Sequence, residues 1–169
     1  VAIEQVVDDL AAGRLDAAIG NLPSIRAHTR SSLLFVEHYV CLLRKRHPAI
    51  GRKLSLEAFL EARHVLVASP FSGHRLVEDA LAERGVARNI VVRVPQFSVL
   101  PQIISQSDLL VTLPSRAARL FASQGPLKSM ELPVPSPEFE VRLHWHPRHE
   151  ASPAQRWLNA EIESTLSVL

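Results

Sequence analysis

One cysteine in 169 residues leaves no partner for a disulfide, so the fold must be held by packing alone, and a reducing cytoplasm is the compartment that suits it. That thiol, Cys41, lies inside an apolar run and reads as a small buried hydrophobe rather than a nucleophile. No stretch approaches the ~18 consecutive apolar residues of a membrane helix, and no charged-then-apolar leader opens the chain. The expectation is a protein that neither spans a membrane nor is visibly exported. Charge of one sign is equally scarce: 19 basic against 17 acidic residues leave a formal +2, too little by itself to argue for a nucleic-acid or membrane surface. Catalytic signatures are missing too, with no G-x-S-x-G elbow and no H-E-x-x-H pair. Paired carboxylates such as Asp8 and Asp9, or Glu161 and Glu163, fall on helices whose opposite faces are apolar. The chain does not read as an enzyme. Internal repeats and low-complexity tracts are absent, and no methionine precedes Met130, so the chain reads as part of a longer protein.

What is present is an apolar share of 47%, enough to bury a sizeable core in one domain or two small ones. The chain is organised around Leu33 to Pro48, LLFVEHYVCLLRKRHP, where an apolar run at Tyr39 to Leu43 is cut off by Arg44, Lys45, Arg46, His47 and Pro48. It reads as one buried strand ending at a surface. Continuous apolar residues suit a strand covered on both faces, and a proline cannot donate to the sheet ladder. A second apolar-to-basic strand, Phe139 to Arg148, also stops at a proline, Pro147. One strand leaving and one returning would enclose Ala49 to Pro137. That predicts two lobes joined by two crossover strands: lobe I from 1–45 and 138–169, lobe II from 46–137.

In chain order, Ile3, Val6, Val7 and Leu10 recur at helical spacing and end at Gly13, and Leu15 to Gly20 reads as a short buried strand. Asn21 to Arg30 reads as loop. Beyond Pro48, Ser55 opens a short helix to Leu60, His64 to Ala68 is a strand, and a polar turn, Ser69 to Gly73, feeds a helix from His74 to Glu83 closed by Gly85. Strands at Asn89 to Val94, Leu109 to Leu113 and Leu127 to Leu132 alternate with helices at Leu100 to Ser105 and Ser115 to Ala122. That alternation predicts a mainly parallel sheet with helices on both faces. Ser152 and Pro153 cap a last helix to about Leu166, with Trp157, Leu158, Ile162 and Leu166 expected to be buried.

Three constellations could carry chemistry. In open parallel sheets ligands sit beyond the carboxyl ends of strands, where helix N-termini offer free N–H groups to an anion. The turn Ser69, Pro70, Phe71, Ser72, Gly73, His74 stands at such a place; with Gly73 as its one glycine it is neither a Walker loop nor a dinucleotide fingerprint. It is either a binding turn or an ordinary strand-to-helix connection with a serine cap. The turn Val94 to Ser98 is similar, with Gln96 as donor and acceptor and Phe97 as an aromatic wall for a small planar ligand, unless Phe97 is simply core. Third, His144 and His146 are expected on one face of a strand, with His149 just beyond. They suit a polar cleft lining better than a metal, because no carboxylate stands at a telling offset. No cofactor and no metal is expected.

Taken together, several stretches resemble the effector-binding domain of LysR-type transcriptional regulators. They are DDLAAGRLDAAIG at Asp8 to Gly20, YVCLLRKRHP at Tyr39 to Pro48, LSLEAFLEARHVLV at Leu54 to Val67, VPQFSVLPQIISQSDLLVTLPSRAA at Val94 to Ala118, and HWHPRHEASPAQRWL at His144 to Leu158. The forms YVCLLRKRHP, SGH, VPQF and WHPR look most like the branch of nodulation regulators and regulators of aromatic degradation. The resemblance implies a type II periplasmic-binding-protein-like α/β fold: two Rossmann-like lobes joined by two crossover strands, with lobe I incomplete at its N-terminal side. It implies an effector-binding set of Phe71, Ser72, Gly73, His74, Gln96, Phe97, Ser98, His144 and His146, and a small effector, aromatic or carboxylate. Gln96 departs from the histidine that branch often carries there. Also implied are a homodimer or tetramer, a cytoplasmic location, and DNA contact through a winged helix-turn-helix outside this chain. A solute-binding protein shares the fold and is the rival reading; an upstream helix-turn-helix as against an export leader separates the two.

Overall fold

The structure is a computed structural model and describes residues 3–68 and 74–167. Its elements are α1 (Ile3–Ala12), β1 (Ala18–Gly20), a 3-10 helix (Pro23–His28), β2 (Arg30–Glu37), β3 (Tyr39–Arg44), α2 (Leu56–Glu61), β4 (Arg63–Val67), α3 (His74–Ala82), β5 (Asn89–Val94), α4 (Leu100–Ser105), β6 (Leu110–Pro114), α5 (Ser115–Ser123), β7 (Leu127–Glu131), β8 (Phe139–Trp145) and α6 (Pro153–Ser167). They fall into two compact units, Val1–Glu37 with Phe139–Leu169 (unit 1) and His38–Glu138 (unit 2). Residues 38–45, assigned to lobe I from the sequence, cluster with unit 2.

Unit 1 has a three-stranded antiparallel sheet in the order β1-β8-β2. Val6 and Leu10 of α1 pack with Leu22 and Ile25 into a small core, joined by Leu15 and Ala18. α1 stops at Gly13, whose φ of +72° lies in the left-handed region that closes helices and that side chains disfavour. β1 is shorter than the expected Leu15 to Gly20 strand and is not buried: Ile19 is 49% exposed. In α6 the stripe facing inward is Gln155, buried, with Leu158 and Ile162 half-buried. Trp157 falls on the opposite side of the helix and is 65% exposed, against the expectation that it is core.

Unit 2 holds a five-stranded sheet, β5-β4-β6-β3-β7. β4, β5 and β6 are mutually parallel, while β3 runs antiparallel to both β6 and β7. The sheet is therefore mixed: four strands share one direction and the reversed one sits inside. Val40, Cys41, Leu42 and Leu43 of β3 are all at most 3% exposed, as the unbroken apolar run requires. On one face Val40, Leu42, Val65, Val67 and Val111 pack with Leu100 and Ile104 of α4 and Ala118 of α5. On the other, the Phe59 ring of α2 meets His64 edge-on at 4.6 Å. α2 starts where Ser55 predicts, its hydroxyl accepting the Ala58 N–H at 3.1 Å.

The segment read as one strand, Leu33 to Pro48, is two strands in two sheets. β2 ends at Glu37 paired with Phe139 of β8, and β3 begins at Tyr39 paired with Pro114 of β6. The polar pair Glu37 and His38 marks the junction, and the halves differ: Leu33 and Val36 of β2 are 46% and 51% exposed, while Val40 to Leu43 of β3 are buried.

Candidate functional site

In unit 2 the parallel strands deliver several groups to one end of the sheet. β4 and β5 finish level, with Val67 opposite Val94 and the Ala68 N–H donating to the Val94 carbonyl at 2.8 Å. The chain leaves β5 through Gln96, extended, into a 3-10 turn, Phe97–Val99, that runs on into α4. Gln96 and Ser98 are exposed, and the Ser98 hydroxyl donates to Gln96 Oε1 at 3.4 Å. Phe97 is half-buried, with its inner side against the unit 2 core. It serves as core and as wall at once.

The same end collects the start of α5. Pro114 closes β6 and fixes the turn into Ser115, whose N–H donates to the His38 carbonyl at 2.9 Å. Arg116 follows in the first helical turn, where acidic residues are absent. A helix start carries a partial positive charge of roughly half a unit, and Arg116 adds a cation to it. His38 Nε2 stands 3.6 Å from Glu131 Oε2 at the end of β7. Sequence reading passed over His38, Ser115 and Arg116; the proline before a Ser-Arg helix start was the available signal.

In unit 1 stands His144. It is fully buried, and its Nδ1 lies 3.0 Å from the Thr29 hydroxyl, which also reaches the Ile25 carbonyl at 3.0 Å. A hydroxyl has one proton and a carbonyl only accepts, so Thr29 donates to Ile25 and accepts from His144 Nδ1–H. Nε2 therefore carries a lone pair, and it has no hydrogen-bond partner among the described residues. Burial first, then Arg26 and Arg142, lowers the affinity of this imidazole for a second proton. Thr29 was likewise missed, because its pairing spans 115 residues.

His146 does not share a strand face with His144, contrary to expectation: β8 ends at Trp145, and His146 caps the 3-10 turn Pro147–His149, its Nδ1 accepting the Arg148 N–H at 3.2 Å. Its ring lies 6.5 Å from that of His149. Pro147 ends the ladder one residue earlier than alternation implied, because the turn takes up the backbone. Of the other expected residues, Gln96, Phe97 and Ser98 are adjacent at the carboxyl end of β5. Phe71, Ser72 and Gly73, with the side chain of His74, lie outside the described residues.

The family model described as LysR substrate binding domain matches residues 2–167. The chain is 34% identical over 146 residues to the HTH-type transcriptional activator NahR of Pseudomonas putida, covering 86% of this chain and 49% of that protein; it thus spans about half the length of such relatives. The regulatory domain of MexT, a transcriptional activator in Pseudomonas aeruginosa, superposes with a TM-score of 0.83 at 23% identity, covering 96% of this chain and 80% of MexT's. The effector-binding domain of QuiR in complex with shikimate gives a TM-score of 0.69 at 18% identity, with 99% and 77% covered.

Proposed function

The chain belongs to the LysR substrate-binding domain family, and from that premise we propose that it senses a small carboxylate, aromatic in the first instance, on behalf of a bacterial transcriptional regulator. The observation that carries this reading is the gathering of helix starts at the carboxyl ends of β4, β5 and β6, beside an exposed amide and a half-buried phenyl ring. The proposed effector-binding set in unit 2 is Phe71, Ser72, Gly73, His74, Gln96, Phe97 and Ser98. The ring lies against Phe97, and the carboxylate meets His74 and the N–H groups of α3. His144 and His146, also named by the resemblance, lie in unit 1. QuiR, a relative in fold, was solved with shikimate, a ring carboxylate of the same chemical kind.

The remainder of the reading concerns the whole protein. DNA is recognised by a helix-turn-helix elsewhere in the full-length chain, as the designation of NahR as an HTH-type activator suggests. The regulator works in the cytoplasm as a homodimer or tetramer. β5 is an edge strand with Val91 46% exposed, and Leu76 of α3 is 36% exposed; an unpaired edge flanked by apolar side chains suits a second copy.

Calorimetry with benzoate and with benzamide tests the effector reading. Benzoate should bind and its uncharged amide should not. A hydrogen bond to a charged group contributes about 1.5 to 3 kcal/mol, so His74→Ala should weaken benzoate roughly 10- to 100-fold. Unchanged affinity in that variant removes His74 from the site, and equal binding of acid and amide removes the carboxylate requirement.

A further inference from the structure

The densest unbalanced charge in the described chain lies at the opposite end of the unit 2 sheet from the proposed effector set. Between Arg44 and Lys53, 5 of 10 residues are Arg or Lys and none is acidic. The segment is anchored: Ile50 and Leu54 are buried, and Lys128 Nζ donates to the Ile50 and Gly51 carbonyls at 3.1 and 2.5 Å. The Lys45 N–H reaches the Pro126 carbonyl at 2.7 Å, and His47 Nε2 donates to the Asp108 carbonyl at 3.1 Å. Arg44 is held by the Asp108 carboxylate at 2.5 Å. These contacts occupy Arg44 and Lys128. Lys45, Arg46, Arg52 and Lys53 are all exposed, and none makes an ion pair among the described residues.

Two concavities flank this shoulder. One of about 550 Å³ is lined by Arg44, Lys45, Arg46, Ser105, Gly125 and Pro126. The other, about 410 Å³, lies between Arg52 with Lys53 and the edge of β7, where Glu131 adds one carboxylate. The first adjoins the carbonyl ends of α4 and α5, whose partial charges total roughly one negative unit. That offsets at most one of the two unpaired cations there, and Glu131 offsets at most one of the two at the second. A single small anion could engage only one of the concavities. A repeating line of phosphates could engage both.

We propose that this shoulder is a sequence-independent contact surface for the phosphate backbone of duplex DNA, the polyanion beside which a transcriptional regulator works. The proposal rests on the regulatory reading but not on the effector set, which lies at the other end of the sheet, so the two fail separately. Sequence is read by base contacts in the grooves, for which this surface has no protruding helix. It supplies counterion release only, with a slope of log affinity on log salt of about −0.9 per neutralised phosphate.

The test is fluorescence anisotropy of the 169-residue chain with two labelled duplexes of unrelated sequence, from about 25 to about 200 mM salt. Weak binding should be equal for both duplexes, with a slope of roughly −2 to −4. The variant K45S/R46S/R52S/K53S should bring the slope close to zero while keeping the wild-type circular dichroism melt and benzoate affinity. If that variant does not fold, K45S/R46S and R52S/K53S should each remove about half the slope. Absence of wild-type binding at the lowest salt, or an unchanged slope in the folded variants, overturns the proposal. Tighter binding of a polyglutamate peptide than of either duplex also overturns it and assigns the surface to an acidic protein partner.

Discussion

His64 is an imidazole sealed into the unit 2 sheet, and its chemistry there is set by desolvation. It is fully buried, and its Nε2 donates to the Phe59 carbonyl at 2.7 Å while Nδ1 has no partner among the described residues. Burial pushes its pKa down to about 4, against the raising effect of the Phe59 bond. The unfolded chain takes up a proton on this residue near pH 6.5 and the folded chain does not until about pH 4. Stability from this group is therefore unaffected above the unfolded value and is lost as pH falls through that window, by about 3 kcal/mol in all. Urea unfolding of His64→Gln at pH 7 and pH 4.5 should show a smaller acid loss than the parent; an identical loss would mean His64 is protonated in the fold. Gly13 is a second residue with one job. Its φ of +72° strains any side chain, and an added Cβ would also stand 2.8 Å from Arg148 Nη2. The guanidinium tip can swing aside, so the backbone decides, and Gly13→Ala should lower the unfolding free energy measured in urea by about 1 to 2 kcal/mol. The glycine was legible as a helix stop; its neighbour Arg148 was not.

At the scale of the element, secondary structure was legible almost throughout. Asn89–Val94 and Leu100–Ser105 have the bounds that their patterns predict, and Ser55 caps α2 as its sequence implies. Misreadings came where burial and spacing part company. Trp157 is apolar and sits in an amphipathic helix, yet Gln155 and not Trp157 faces inward. The run from Leu33 to Leu43 is apolar without interruption apart from Glu37 and His38, yet it serves two sheets. That division makes a prediction. Leu43 is fully buried whereas Val36 is 51% exposed, so Leu43→Ala should cost about 2 to 5 kcal/mol and Val36→Ala under about 0.5. Comparable losses at both positions would mean one continuous buried strand.

For the molecule as a whole, the two sheets differ in how well each is closed. In unit 2, β3 has a hydrogen-bonded neighbour on either side and apolar cover; in unit 1, β1 is a three-residue edge strand. Amide exchange should therefore be slowest in β3, β4 and β6 and fast in β1, and exchange of β1 as slow as that of β3 would contradict this. The sequence alone determined the order and type of most elements, though not β2 or the 3-10 helix before it, together with the buried character of β3, the basic shoulder after it and the family to which these belong. All of these are written in spacing and composition over ten or twenty adjacent residues. The tertiary structure decided that the chain changes sheets at His38, that β3 runs against its neighbours, that His144 leans on Thr29, and that Ser115 and Arg116 arrive beside His38. Each of those depends on a partner far along the chain, and local periodicity records that a face must be covered without recording what covers it or from which direction.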